Sequence, residues 1–419
     1  MSPKVWISRR MSRLLTSPRL REARRRRAAW WRRLRGAERE VHYFHQADDP
    51  YSHLAAQLLP ALAARHGVRV SAHLVPPPIE AAAPDRARLA DWSRRDAARL
   101  ADALGLDAQG FDRAPSPQAV THAQHALLRS IDAGRFVEQA AAIGQALWRG
   151  AEGTAHADTG AALASHLAAS ARLRERLGHY LGATFHFEGE WYWGPDRLHH
   201  LERRLGAADG LIAAPPPLRW HLPQPGGAAP VLHFYCSLRS PYTYLACERV
   251  RRLAEHYGAE LRLRFVLPMV MRGLPVPRAK RLYIVRDTKR EAERLGIDFG
   301  CIVDPVGAPT ERGLAVLHRA IALGRGPQFL ESFLRGVFAD GIDAGSARGL
   351  EAIAARAGIA ADEVERALAD DSWRAIAQAN RDEMLALGLW GVPSFRVDER
   401  PALWGQDRLW MLERDLSRA

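Results

Sequence analysis

Cysteine is scarce. The 419 residues hold three, Cys236, Cys247 and Cys301, and no C-x-x-C pair. Three thiols cannot all pair internally, so the count excludes a disulfide-stapled scaffold and a four-cysteine zinc site and fits a reducing compartment. Long apolar runs are missing too. None approaches the roughly 18–20 residues that a membrane span needs. The basic start of the chain lacks the apolar core and small-residue cleavage site of a secretory signal, so a cytoplasmic location is expected. There is no G-x-x-x-x-G-K-[ST] loop, no G-x-S-x-G elbow and no G-x-G-x-x-G after a strand, which removes the commonest nucleotide- and ester-directed chemistries.

What is present is an ordinary globular composition, 47% hydrophobic and 26% charged, in a chain long enough for two or three domains. The formal net charge of +13 is uneven: residues 1–40 alone carry +11. This basic extension contains Arg24-Arg25-Arg26-Arg27 and Trp30-Trp31-Arg32-Arg33. It reads either as a Trp-bearing basic helix that touches an anionic membrane or nucleic acid, or as a disordered, solvated tail.

The rest of the chain repeats itself. With an offset of 191, His42–Pro77 aligns without a gap on His233–Pro268, with ten of 36 positions identical, among them Pro50/Pro241, Tyr51/Tyr242 and Leu54/Leu245. Further on, Trp193–Leu205 agrees with Trp404–Leu416 at nine of 13 positions. Two units of one layout are therefore expected at 41–205 and 231–416, separated by a Pro/Gly-rich linker over 206–230. Each reads as a strand (41–45; 231–236), a helix (50–66; 241–257) and a strand (68–75; 260–267). A long helical region follows (85–179; 278–388), then two short strands and a closing amphipathic helix. The fold class is α/β, with a helical insertion between a βαβ part and a ββα part.

The second unit turns on Tyr235–Leu245, where an apolar strand runs into a helix. Pro241 suits the first helical position and Ser240 the N-cap. A hydroxyl there either caps the helix or meets an anion at the positive end of the helix dipole.

Three segments of this unit, Ser240-Pro241-Tyr242-Thr243-Tyr244-Leu245-Ala246, Gly391-Val392-Pro393-Ser394-Phe395 and Trp404-Gly405-Gln406-Asp407-Arg408-Leu409, carry a family resemblance. The order of elements with its helical insert resembles the DsbA-like thioredoxin-fold group, and these segments resemble those of 2-hydroxychromene-2-carboxylate isomerases and kappa-class glutathione transferases. The resemblance implies two tandem thioredoxin-like domains and a glutathione-dependent isomerase or transferase acting on a small aromatic or electrophilic molecule, with glutathione as cofactor and no metal. It implies that Ser240 donates a hydrogen bond to the glutathione thiolate. Pro393 would be the family's cis-proline, exposing the main chain of Val392 to pair with glutathione. Gln406 and Asp407 would bind its γ-glutamyl end, although Asp407 is equally an N-cap candidate. Tyr242 belongs to the first segment, and Lys280, Tyr283 and Asp287 form a helical stripe with Arg290 that resembles the family's substrate-facing helix. Such a stripe is otherwise a salt-bridged solvent face.

The first unit departs at each key place, with Asp49 for Ser240, Ala183 for Pro393 and Pro195 for Gln406. It reads as a scaffold without the chemistry. His42, His45 and His53 cluster near its strand–helix turn without a metal-ligand spacing. Two other functions stay open: a DsbA-family thiol–disulfide oxidoreductase, which the missing motif cysteines oppose, and a non-catalytic tandem binding protein anchored by its basic tail. The two units are also expected to pair as an internal pseudo-dimer.

Overall fold

Two four-stranded mixed sheets organise the protein. The computed structural model describes residues 3–151, 160–223 and 229–418. Gln224-Pro225-Gly226-Gly227 of the expected linker lie outside the described residues.

The basic extension is helical rather than unstructured: α1 (Pro3–Leu15) and α2 (Pro18–Leu34) meet at Thr16-Ser17, where Ser17 Oγ accepts the Leu20 N–H. There follow β1 (Glu40–His45), α3 (Pro50–His66), β2 (Arg69–Leu74), α4 (Arg86–Leu104), α5 (Pro117–Asp132), α6 (Phe136–Trp148), α7 (Gly160–Leu177), β3 (Thr184–Phe187), β4 (Glu190–Trp193) and α8 (Pro195–Leu205). The second series is β5 (Val231–Cys236), α9 (Pro241–His256), β6 (Glu260–Phe265), α10 (Arg278–Leu295), α11 (Ala308–Ala322), α12 (Gly326–Arg335), α13 (Ala347–Arg356), α14 (Ala361–Leu368), α15 (Trp373–Ala386), β7 (Ser394–Val397), β8 (Leu403–Trp404) and α16 (Leu409–Leu416). Among the described residues, no helix is long and apolar enough to cross a membrane.

The chain divides into two compact units. One holds Glu22–Pro216 together with Pro277–Tyr283; the other holds the residues up to Arg21, Pro217–Val276 and the chain from Ile284 onward.

In the first of these the strand order is β2-β1-β3-β4. β1 runs parallel to β2, with Tyr43 opposite Ala72, and antiparallel to β3, with Tyr43 opposite Phe185. Pro50 and Pro117 sit in the first turns of α3 and α5, where their missing N–H costs nothing, behind caps from Asp49 and Ser116. The core packs Tyr43, Phe185 and Tyr192 against the apolar face of α3. Part of the arginine run is structural here: Arg25 forms a two-bond pair with Glu190 (2.5 and 2.7 Å) and Arg32 pairs with Glu188 (2.8 Å).

The other unit has the order β6-β5-β7-β8, again with β5 parallel to β6 and antiparallel to β7. Phe234 stacks on Phe395 across the β5–β7 pair, with ring centroids 5.3 Å apart. The expected helical region is interrupted by an irregular stretch around 299–303, which bonds to the turn Gly336–Asp340 after α12 through Gly300 N–H to Phe338 O and Val303 N–H to Val337 O.

Each closing helix buries a glutamate. In the first unit Glu202 of α8 accepts the N–H groups of Ile212 (2.9 and 3.0 Å) and Ala213 (3.4 Å). In the second, Glu413 of α16 accepts those of Arg219 (2.7 Å), Trp220 and His221 (3.4 Å), and the Tyr257 hydroxyl (3.2 Å).

Candidate functional site

The site is built where β5 ends, α9 begins and β7 comes back antiparallel to β5. Ser240 is the N-cap of α9, in extended backbone conformation, and its Oγ accepts the Thr243 N–H at 3.1 Å. The same Oγ donates to the carbonyl of Val392 at 3.4 Å. The Val392–Pro393 peptide bond is cis. Thus Ser240 and the Val392–Pro393 bond, with Val392 152 residues further along the chain, meet at the start of one helix. One turn in, the Thr243 side chain is fully buried, and its Oγ1 has no hydrogen-bond partner among the described residues. A half-buried cap hydroxyl at the N-terminal end of a helix can meet an anion there.

The backbone beneath this site is held by an aromatic pair. Trp390 and Trp404 meet edge-on at 5.0 Å, and Gly391 lies against the Trp404 indole so closely that an added Cβ would sit 2.0 Å from its Cζ2. Gly391→Ala is therefore expected to lose about 1–3 kcal/mol of stability, because a rigid ring cannot give way without moving the loop. A denaturant melt checks the loss.

Gln406 is placed differently from the expectation drawn from the resemblance. Its side chain is 1% exposed and engaged on the protein: Oε1 accepts from Arg249 Nη1 (3.1 Å), and Nε2 donates to Glu291 Oε2 (3.0 Å) and to Asp407 Oδ1. Burial, and Arg294 nearby, pull the Arg249 guanidinium down to about 10. Asp407 stands beside this network, half-buried, in a short 3-10 turn ahead of α16. Arg249 and Glu291 are residues that the sequence reading missed. Glu291 had a signal, lying four residues beyond Asp287 on the same helical stripe; Arg249 had none.

The stripe on α10 does not act as one surface. The Tyr242 hydroxyl donates to Asp287 Oδ2 (2.8 Å), and Arg290 donates to Asp287 Oδ1 (3.2 Å), so both oxygens of this buried carboxylate are occupied. Lys280 and Tyr283 belong to the other unit. There Lys280 Nζ donates to Ala82 O (2.9 Å), with its ammonium drawn down to about 8 by burial. Tyr283 packs with Phe44, Val75 and Trp191 and meets His179 edge-on at 4.6 Å.

The matching place in the first unit is closed. Asp49 caps α3 through Oδ2, which accepts the Ser52 N–H (3.0 Å) and the Ser52 hydroxyl (2.8 Å). Ser52 Oγ in turn accepts the N–H groups of Gln46 (3.1 Å) and Ala183 (2.9 Å). The main chain at Ala183, which has φ of 51° in place of a proline, is thereby tied to the protein itself. The histidines take separate partners: His42 Nδ1 faces His73 Nε2 at 3.0 Å and His45 Nδ1 faces the Tyr43 hydroxyl at 3.2 Å, while His53 abuts Gly144.

Burial pushes the Asp49 carboxyl up to about 6, against the opposing pull of the Ser52 hydrogen bonds. A carboxyl raised in the folded state favours the protonated protein, so its contribution is fully present below the unfolded value near 4 and is lost as pH rises through about 6. Asp49→Asn keeps a capping oxygen. The variant is expected to match the parent near pH 4 and to be the more stable protein at pH 7, as read from denaturation midpoints across that range.

The three cysteines are free and buried, and burial raises the thiols of Cys236 and Cys247. None stands at the start of α9.

The family described as DSBA-like thioredoxin domain matches residues 231–417. No curated protein matches the chain. Among solved structures, a probable DsbA oxidoreductase from Streptomyces coelicolor is 23% identical, with a TM-score of 0.37 over 45% of this chain and 89% of its own. A 2-hydroxychromene-2-carboxylate isomerase is likewise 23% identical, with a TM-score of 0.37 over 45% of this chain and 95% of its own. The cytosolic disulfide reductase DsbM from Pseudomonas aeruginosa is 22% identical, with a TM-score of 0.34 over 45% of this chain and 100% of its own.

Proposed function

Because residues 231–417 are a DsbA-like thioredoxin domain, we propose that this domain holds the thiolate of glutathione at the start of α9 and uses it on a small aromatic or electrophilic substrate, as an isomerase or a transferase. The observation that carries the reading is Ser240: a half-buried cap hydroxyl at the start of α9, beside the Val392 carbonyl. When bound, glutathione supplies a nucleophilic thiolate that adds reversibly to an electrophilic carbon. The residues of the chain do the rest. Ser240 Oγ turns its one proton from the Val392 carbonyl to the sulfur, and the dipole of α9 favours its charge. The Val392 main chain pairs with the tripeptide backbone as an added strand. Asp407 receives the ammonium of the γ-glutamyl end, and Gln406 acts as a positioning residue through Arg249 and Glu291. Tyr242, held by Asp287, lines the substrate side.

Thiol–disulfide exchange by the chain's own cysteines would need an exposed thiol, and all three are buried. The three unpaired cysteines support a cytoplasmic setting. We further infer that the two units arose from one duplicated unit, on their common strand order and their matched segments.

Calorimetric titration of glutathione into the full chain tests the reading. Saturable binding that weakens in Ser240→Gly is the expected result; no binding at millimolar glutathione overturns it.

A further inference from the structure

Helix α1 has two unlike faces. Its inner face is polar and fixed. Ser8, Ser12 and Thr16 recur every four residues, on one stripe, and grip the irregular stretch at 300–302. Ser8 Oγ donates to the Ile302 carbonyl (3.0 Å), the Ile302 N–H donates to Ser12 Oγ (2.9 Å), and Thr16 Oγ1, which donates to the Ser12 carbonyl (2.7 Å), shares its proton with the Gly300 carbonyl at 3.3 Å. Val5 is buried on the same side, and Arg21, beyond the helix, pairs with Glu293 at 2.7 Å. Both main-chain groups of Ile302 are thus satisfied by helix hydroxyls, which sets the rotation of α1 on its unit.

That rotation turns the apolar residues outward. Trp6, Ile7, Met11 and Leu14 are 50%, 48%, 65% and 53% exposed. At about 100° per residue they share a sector of roughly 160° with Arg10 and Arg13. The Arg10 guanidinium lies over the Trp6 ring, 5.3 Å from its centroid. Residues 1–21 contain six basic side chains and no acidic one.

Four large apolar side chains held together in solvent call for a cover, and the charge around them selects it. An acidic protein groove or a nucleic acid would engage the arginines. Nucleic acid, however, offers nothing to a row of Ile7, Met11 and Leu14. A lipid surface takes both: aliphatic side chains in the acyl boundary, tryptophan at the interface and guanidinium groups on the phosphates. We propose that the outer face of α1 docks on an anionic phospholipid bilayer and seats its unit on the membrane surface without crossing it.

Co-sedimentation of the full chain with phosphatidylcholine vesicles, with and without phosphatidylglycerol, tests this. Binding is expected to the anionic vesicles and to fall as salt screens the arginines. The triple variant Ile7→Gln, Met11→Gln, Leu14→Gln keeps the charge and touches none of the inner-face bonds. It should melt like the parent yet bind vesicles at least ~10-fold more weakly, as should Arg10→Gln with Arg13→Gln. The proposal is overturned if the parent ignores anionic vesicles, if the triple variant binds them undiminished, or if the chain binds a short DNA duplex in preference to vesicles.

Discussion

Replacing Glu413 with alanine is expected to lower stability by about 2–4 kcal/mol, on a net value of roughly 1.5–3 kcal/mol for a hydrogen bond to a charged group and some rescue of the freed donors by water. The carboxylate is 2% exposed and accepts from three successive main-chain N–H groups, Arg219, Trp220 and His221, and from the Tyr257 hydroxyl. Alanine removes every acceptor at once. Tyr257 is itself buried, so its hydroxyl loses a partner that water does not readily replace. Glutamine keeps one carbonyl oxygen, and Glu413→Gln should lose about half as much. The damage should also be local. The three amides at 219–221 hydrogen-bond to Glu413, while α9 holds the segment separately through His256 and Arg252, so their hydrogen exchange should speed up in Glu413→Ala before any global unfolding. An unchanged denaturation midpoint together with unchanged exchange at 219–221 would show that the clamp is idle.

Glu413 also shows what the sequence makes legible and what it hides. Within the matched stretches Trp193–Leu205 and Trp404–Leu416, Glu202 and Glu413 occupy the same place, and each buries its carboxylate against the main chain of a nearby segment. The shared identity alone marks neither residue out; its structural meaning comes only with the two buried carboxylates. The strands, by contrast, were legible. Val231–Cys236 is a short apolar run followed by a cap and a helix-starting proline, and local chemistry of that kind survives in any tertiary setting. Ser240 and Val392 meet at the start of α9, a pairing that only the family resemblance, and no local pattern, offered.

Other features depended on contacts that no local pattern records. The stripe Lys280, Tyr283, Asp287 is regular in spacing, yet its first two members belong to one compact unit and the third to the other. Periodicity tells which residues share a helical face and says nothing of what that face meets. The grip of α1 on residues 300–302 joins positions about 290 apart through three hydroxyls, and serine and threonine leave no hydrophobic period to read. Gln406 is of the same kind: the resemblance gives it a ligand, and only packing shows that Arg249 and Glu291 hold its side chain.

Substitution of Ser240 is expected to separate its two roles. As the N-cap of α9 it accepts the Thr243 N–H, and losing a serine cap to alanine costs about 0.5–2 kcal/mol of stability, whereas glycine costs only a few tenths. As a thiolate host it would donate a hydrogen bond worth roughly 1.5–3 kcal/mol to a charged acceptor, which corresponds to about a 10–100-fold change in an equilibrium or rate. Donation to the sulfur favours its ionised form, so removing the donor must raise the pKa of the bound thiol. Ser240→Gly should therefore melt close to the parent, show a thiol pKa about one to two units higher by thiolate absorbance, and turn over about 10–100-fold more slowly near neutral pH. Ser240→Thr keeps both cap and donor and should restore all three readouts. Ser240→Ala should show the stability loss and the thiol shift together. If glycine leaves the bound thiol pKa where it was, Ser240 is a cap alone, and the proposed chemistry loses the group it depends on even though the fold around it stands.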